Sequence, residues 1–287
     1  MPRRVDLKHI PVRAPNPFAG WQQKVHVGLT TLFLSAAALA CLNLWISNRF
    51  LGMRPWLDGL LLVSAAATSM AALCRQLPAQ NVIFGSFLIG FCAGAVTAIN
   101  GLAGVPFGPL EYQRDNIGQF IFYPLPWAIP VLWVVILLNA RGVARLMLRS
   151  QRHTSNYGFR VMGLTVLLVV IFQLSLQPYA TEIKQYWTWK PTKLPSSWYT
   201  TPWTNLLGCG VMTLLILLFV TPVLISKSPA PRPPAYHPLL VWELLNLQLL
   251  SGTFRQHLWG VSGLTLAQMI VIAALSWIGS RGRIREA

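Results

Sequence analysis

The chain has 287 residues, 54% of them hydrophobic and only 10% charged, with a formal charge of +16. A soluble protein of this length needs far more surface charge, and the apolar residues fall in long uninterrupted blocks, so the chain reads as an integral membrane protein. Its basic residues gather at the ends of those blocks rather than in a stripe interleaved with aromatics. That suits topology and anionic headgroups and argues against nucleic acid as a partner.

Residues 1–26 form a basic N-terminal segment, and no small-residue cleavage site follows the first apolar run, which therefore reads as retained. A bilayer core needs roughly 20 apolar residues per helix. Stretches of that kind lie at about 27–46, 57–74, 82–99, 120–140, 159–178, 203–225 and 258–279. Before the last of them, His237 to Gly252 is apolar but short and carries Glu243. It reads as a short span or as a helix lying in the interface. The predicted fold class is all-α: a polytopic membrane helix bundle of about eight transmembrane helices, or seven if 239–251 is interfacial. Residues 27–279 make one transmembrane domain, and 280–287 a basic C-terminal tail.

Charge favours eight spans. With an inner N-terminus, only Arg49, Arg54, Arg114, Lys184, Lys190, Lys193 and Arg255 fall outside, and the rest of the 23 Lys and Arg fall inside. That is the sign of a positive-inside topology with both termini cytoplasmic. The expected location is a cell membrane of the bacterial inner-membrane kind.

Under that topology the loops 100–119 and 180–202 emerge together on the outer side. The first contains GVPFGPLEYQRDNIG, Gly104 to Gly118, which holds Glu111 and Asp115 out of only 7 acidic residues in the chain. The second, TEIKQYWTWKPTKLPSSWYTTPW, is rich in Trp, Tyr and Pro and reads as an aromatic belt, a site wall, or both. Between them FYPLPWAIPVLW carries Pro124, Pro126 and Pro130, which predict a break or kink in the fourth span. Cys41, Cys74, Cys92 and Cys209 lie in apolar segments without CxxC spacing and read as free thiols. Ser226 to Pro238 is a proline-rich, extended linker.

The five histidines are scattered, which disfavours a histidine-rich metal site. Asp6, Asp58 and Asp115 are the only aspartates, too few for paired diphosphate–magnesium motifs. No GxGxxG marks a nucleotide fold. The chemistry expected is therefore metal-free and cofactor-free, carried by few groups. Glu111 and Asp115, four apart, share a face if helical. Close carboxylates beside a low-dielectric region separate their pKa values, and one can then serve as general acid. The residues alone favour a solvated loop. Glu182 reads as a surface charge, and Asp58, at a helix start, as a helix-dipole partner.

The opening loop and PWAIPVLW together resemble the membrane carotenoid biosynthesis family, which includes carotenoid 1,2-hydratases of the CruF and bisanhydrobacterioruberin hydratase type. Pro106, Phe107, Gly108, Tyr112, Gly118, Pro126, Ile129, Pro130 and Trp133 match its first block in order. Pro178, Trp187, Trp189, Pro202, Asn205 and Gly208 match a second. Gln173 and Gln177 stand where family members carry acids, and Cys209, Leu110 and Gln113 are further departures. A glutamine holds a water but delivers no proton.

The resemblance implies cofactor-independent hydration of the terminal C1=C2 bond of a carotene ψ-end, as in lycopene or γ-carotene, to a tertiary alcohol. It implies Glu111 as acid with Asp115 as its partner. Phe107, Tyr112, Trp133, Gln177, Trp187, Trp189 and Asn205 would contact the substrate. The implied partners are a lipophilic carotenoid, membrane lipid and other carotenoid enzymes. The alternatives are a non-catalytic carotenoid-binding or assembly protein and a small-molecule transporter.

Overall fold

The computed structural model describes residues 19–46, 55–190, 196–225 and 234–281. Most of the basic N-terminal segment and of the C-terminal tail, and much of the proline-rich linker, lie outside the described residues. Eight long helices carry the chain: α1 (Ala19–Trp45), α2 (Pro55–Cys74), α3 (Ala79–Ala103), α5 (Ala128–Met147), α6 (Tyr157–Pro178), α7 (Trp203–Val220), α8 (His237–Arg255) and α9 (Trp259–Arg281). A single-turn helix, α4 (Arg114–Ile117), lies in the loop 100–119. The four cysteines are free.

Seven of the long helices are long and apolar enough to cross a membrane. The eighth, α8, is 19 residues long and packs against α1, α2, α5, α6 and α9, inside the bundle rather than flat beside it. Its low hydropathy has a physical reason: two of its polar side chains, Gln248 and Asn246, are buried and find partners. Gln248 donates to the Tyr179 hydroxyl at 3.2 Å, and Asn246 accepts from Gln268 of α9 at 2.6 Å. Burial with a partner removes most of the cost that polar groups meet in lipid.

Helix α5 is the axis of the bundle. It packs against α2, α3, α6, α8 and α9 and buries Val135, Ile136, Leu137, Ala140, Val143 and Ala144. The outer helices show the reverse arrangement to a soluble bundle. On α7 the exposed face is Leu207, Val211, Leu214 and Leu218, at helical spacing, while Thr213 and Asn205 are buried. Apolar residues outward and small or polar ones inward is the pattern expected when lipid is the solvent. Small residues permit close approach: a side chain at Gly85 would meet Leu224 at 2.9 Å. At one end of the bundle His26 at the start of α1 stacks edge-on with His237 at the start of α8, and Tyr236 bonds Ser280 near the end of α9. The first and last helices thus open and close at the same end, as an even number of crossings requires.

Helix α5 begins at Ala128, eight residues later than the apolar run beginning at 120 suggests. The intervening residues form a small hairpin, β2 (Phe120–Phe122) with β3 (Leu125–Pro126). Pro124 and Pro126 therefore lie outside any helix, and Pro130 sits in the first turn of α5, where its missing N–H costs no helical bond. Of the expected break or kink, the prolines at 124 and 126 make the break, ahead of the helix.

The loops 100–119 and 180–202 meet. β1 (Leu110–Tyr112) pairs antiparallel with β4 (Trp187–Trp189), in the register Leu110 to Trp189, Glu111 to Thr188 and Tyr112 to Trp187. Backbone bonds extend the ladder at both ends, from Gln113 N to Tyr186 O at 2.8 Å and from Lys190 N to Pro109 O at 2.9 Å. A last short pair, β5 (Ser196–Trp198) with β6 (Thr201–Pro202), leads into α7. The ladder is the roof of the site.

Candidate functional site

The PFG turn is placed by Asn100, in the last turns of α3. Its Oδ1 accepts from Phe107 N at 2.7 Å and its Nδ2 donates to Gly108 O at 3.0 Å, so one buried amide clamps both sides of the turn. Gly104 ends α3 in the left-handed region, at φ 71°, where a glycine is favoured. Phe107 is thereby pushed down against Gly208 of α7, where any side chain would meet its ring at 2.8 Å.

Beneath the β1–β4 ladder lie two adjoining cavities. The first, about 40 Å³, is lined by all seven residues expected to contact substrate: Phe107, Tyr112, Trp133, Gln177, Trp187, Trp189 and Asn205. Thr97, Gln173 and Cys209 complete its polar wall. Trp187 Nε1 donates to Gln177 Oε1 at 3.2 Å, and Gln177 Nε2 donates onward to Gln173 Oε1 at 3.1 Å. Because an indole only donates, it fixes which way the Gln177 amide faces. Two further donors, Trp189 Nε1 and Asn205 Nδ2, are buried without a protein partner among the described residues. Burial pushes the Tyr112 phenol well above its ordinary range, so it stays a neutral donor.

The second cavity, about 120 Å³, shares Trp187, Ile129, Leu132 and Leu176 with the first and is otherwise mostly apolar. Its polar edge is Asp58, which is paired with Lys184 at 2.7 Å; their side chains are 21% and 6% exposed. The Tyr186 phenol bonds the same carboxylate, and burial followed by the Asp58 charge raises its pKa well above normal. Asp58 is thus far more than a helix-dipole partner. It is the acidic residue that borders the paired cavities.

Size separates the two chambers. A volume near 40 Å³ matches about one water, whose share of the liquid is roughly 30 Å³. A volume near 120 Å³ approaches the roughly 150 Å³ that admits a benzene ring. The amide-lined chamber suits water, and the apolar one suits a branched five- or six-carbon end.

Glu111 and Asp115 lie elsewhere. Strand alternation turns Tyr112 inward and Glu111 outward, so the Glu111 side chain is 56% exposed and 3.5 Å from the equally exposed Lys190. Asp115 is exposed on α4, and neither acid lines either cavity. Glu182 accepts from Thr200 at 3.2 Å at the rim.

The fold and site define a polytopic membrane protein whose roofed end encloses an apolar, aromatic-walled cavity bordered by a buried ion pair. A family model described as carotenoid biosynthesis protein matches residues 56–275, and the chain belongs to that family. Neither the curated proteins nor the solved structures contain a match. Membership implies a carotenoid substrate in a membrane setting.

Proposed function

We propose that the chain hydrates the C1=C2 bond of a carotene ψ-end. The observation that carries this reading is the pairing of a water-sized polar chamber with an isoprenyl-sized apolar one across Trp187, the latter bordered by Asp58. The branched end occupies the apolar chamber. The Asp58 carboxyl, in its protonated form, gives its proton to C2, and the electrons of the double bond form the new C–H bond. A tertiary cation is left at C1. Lys184 pairs with that carboxyl at 2.7 Å and the Tyr186 phenol bonds it, which fixes its position at the edge of the apolar chamber.

The face of Trp187 stabilises the cation. A water held by Gln177, Asn205 and Trp189 supplies the oxygen to C1 and loses its second proton back towards Asp58. The sum is alkene plus water giving tertiary alcohol, with no change of oxidation state and so no redox partner to supply. We place the site at the outer face, from the bias of basic residues to the other end.

Expression in cells that accumulate lycopene tests the reading. The wild-type chain is expected to yield a product heavier by one water. Asp58→Asn should abolish it while the protein still reaches the membrane, and Glu111→Gln should retain it. Full activity in Asp58→Asn would remove Asp58 as the acid, and loss in Glu111→Gln would move the acid to the outer surface of β1.

A second reading, a pigment-binding protein without catalysis, is favoured by Gln173 and Gln177, which can bind but not protonate. It is recognised by pigment that co-purifies unaltered.

A further inference from the structure

At the opposite end of the bundle, α5 presents Arg141 and Arg145 one helical turn apart, and Arg149 follows after another turn at the start of the next segment. With Arg152 they line a cavity of about 140 Å³ closed by Tyr157, Gln76 and Pro238. Among the described residues, no acidic side chain lines this cavity. Arg141 is only 7% exposed, and its Nη2 donates to a backbone carbonyl, Leu224 O, at 3.1 Å.

The other side of the same arginines faces a second cavity of about 320 Å³. Arg141, Arg145 and Tyr157 are common to both, and the remainder of the second wall is largely apolar: Val161, Met162, Leu217, Leu224 and Ile225 among others.

A buried guanidinium without a carboxylate is expensive in a membrane protein. Arg149 donates to Ser280 O at 2.9 Å and Arg152 Nε donates to His153 Nε2 at 3.2 Å. The carbonyl end of α5 offsets part of the remaining cost, but a helix dipole presents only about half a charge. Neither a neutral carbonyl nor an imidazole cancels the positive charge gathered here. Such a cluster calls for an anion. Guanidinium forks match phosphate oxygens, and a backbone carbonyl alone leaves most of that donor capacity for a ligand. An arginine-lined polar chamber adjoining a longer apolar one further fits an amphiphile.

We propose that this is a phosphate-binding site, in which Arg141, Arg145 and Arg152 hold a phosphate group and the adjoining apolar cavity takes the chain of the lipid that carries it. The site lies at the end of the bundle away from the Asp58 cavity and is independent of the hydration reading.

The test uses the full chain in a non-ionic detergent, with thermal unfolding followed as phosphatidylglycerol, phosphatidylcholine or inorganic phosphate is added. A saturable rise in unfolding temperature with phosphatidylglycerol, small or absent with phosphatidylcholine, is the result expected. Arg145→Gln should weaken that response about tenfold while still folding. Arg152→Gln, at a less enclosed position, serves if Arg145→Gln does not fold. A rise of equal size with inorganic phosphate supports the phosphate site and assigns its source to a soluble ion. Equal stabilisation by phosphatidylcholine, no response to any probe, or an unchanged response in a folded Arg145→Gln or Arg152→Gln variant overturns the proposal.

Discussion

Removing the Asp58 side chain should reveal how the roofed end is held together. Asp58→Ala strands the Lys184 ammonium, which is 6% exposed and loses a 2.7 Å partner. Breaking a buried ion pair from one side costs about 3–5 kcal/mol, since the remaining charge cannot reach water. Asp58 is itself 21% exposed, which favours the lower half of that range. For a chain of this size the loss corresponds to a fall of roughly 10 °C in unfolding temperature.

Replacing both partners, as in Asp58→Ala with Lys184→Met, removes the stranded charge and should recover most of the lost stability. Thermal unfolding of the detergent-solubilised variants measures both effects. Carotene hydration in the same variants gives the decisive contrast: the double variant should be stable yet inactive. A double variant that regained activity would make the pair a clamp between α2 and the loop 180–202 rather than a proton source. A single Asp58→Ala variant that unfolded with the wild type would refute the premise that the pair is desolvated.

Other expectations follow from the same geometry. Gly208→Val drives a side chain into the Phe107 ring, where even a Cβ sits at 2.8 Å, and should close the water-sized chamber; hydration would be lost while bound carotenoid, measured by absorbance of the purified protein, would persist. Trp187→Phe keeps an aromatic face but deprives Gln177 Oε1 of its donor. It should cost about 1–2 kcal/mol in stability and lower the rate of product formation. Tyr112 and Tyr186 have pKa values raised by burial, so the folded state keeps protons that the unfolded chain releases near pH 10. Stability should therefore be unaffected by these groups below about pH 10 and fall above it. Thermal unfolding between neutral and alkaline pH checks this, and Tyr112→Phe should reduce the slope.

The bundle was legible because hydropathy over about 20 residues reports directly on lipid exposure. The same measure failed where apolar residues do other work. Residues 120–127 are as apolar as the helix after them, yet prolines at 124 and 126 send them into a hairpin. The inward position of α8 was also hidden, because Gln248 and Asn246 lower its hydropathy and their partners, Tyr179 and Gln268, are far away in the chain.

The walls of the water-sized chamber were readable from motif residues alone, and all seven converge. The acid was not. Glu111 and Asp115 attracted attention by sequence proximity, but β1 alternation faces Glu111 outward from the ladder while Tyr112 faces in. Asp58 lay in plain view within a span-length apolar stretch, and an acid there needs a partner. That partner, Lys184, is 126 residues away and on its own resembles any loop lysine.

Under the proposed mechanism, the absence of family-typical acids at Gln173 and Gln177 follows from a division of labour between the chambers. A carboxylate beside Trp187 would bind water well, but it would add a second negative charge next to the Asp58 carboxylate that proton transfer leaves behind. Neutral amides orient water without that hazard. They leave proton delivery to a group on the other side of the ring, where Asp58 sits. Gln177→Glu is the substitution that probes this: a competent acid in the water chamber should restore product to Asp58→Asn if position is irrelevant. If direction matters, the variant should remain inactive, because the proton and the water must reach adjacent carbons from their own chambers. Restoration would show that the two cavities act as one space and would undo the separation on which the mechanism rests.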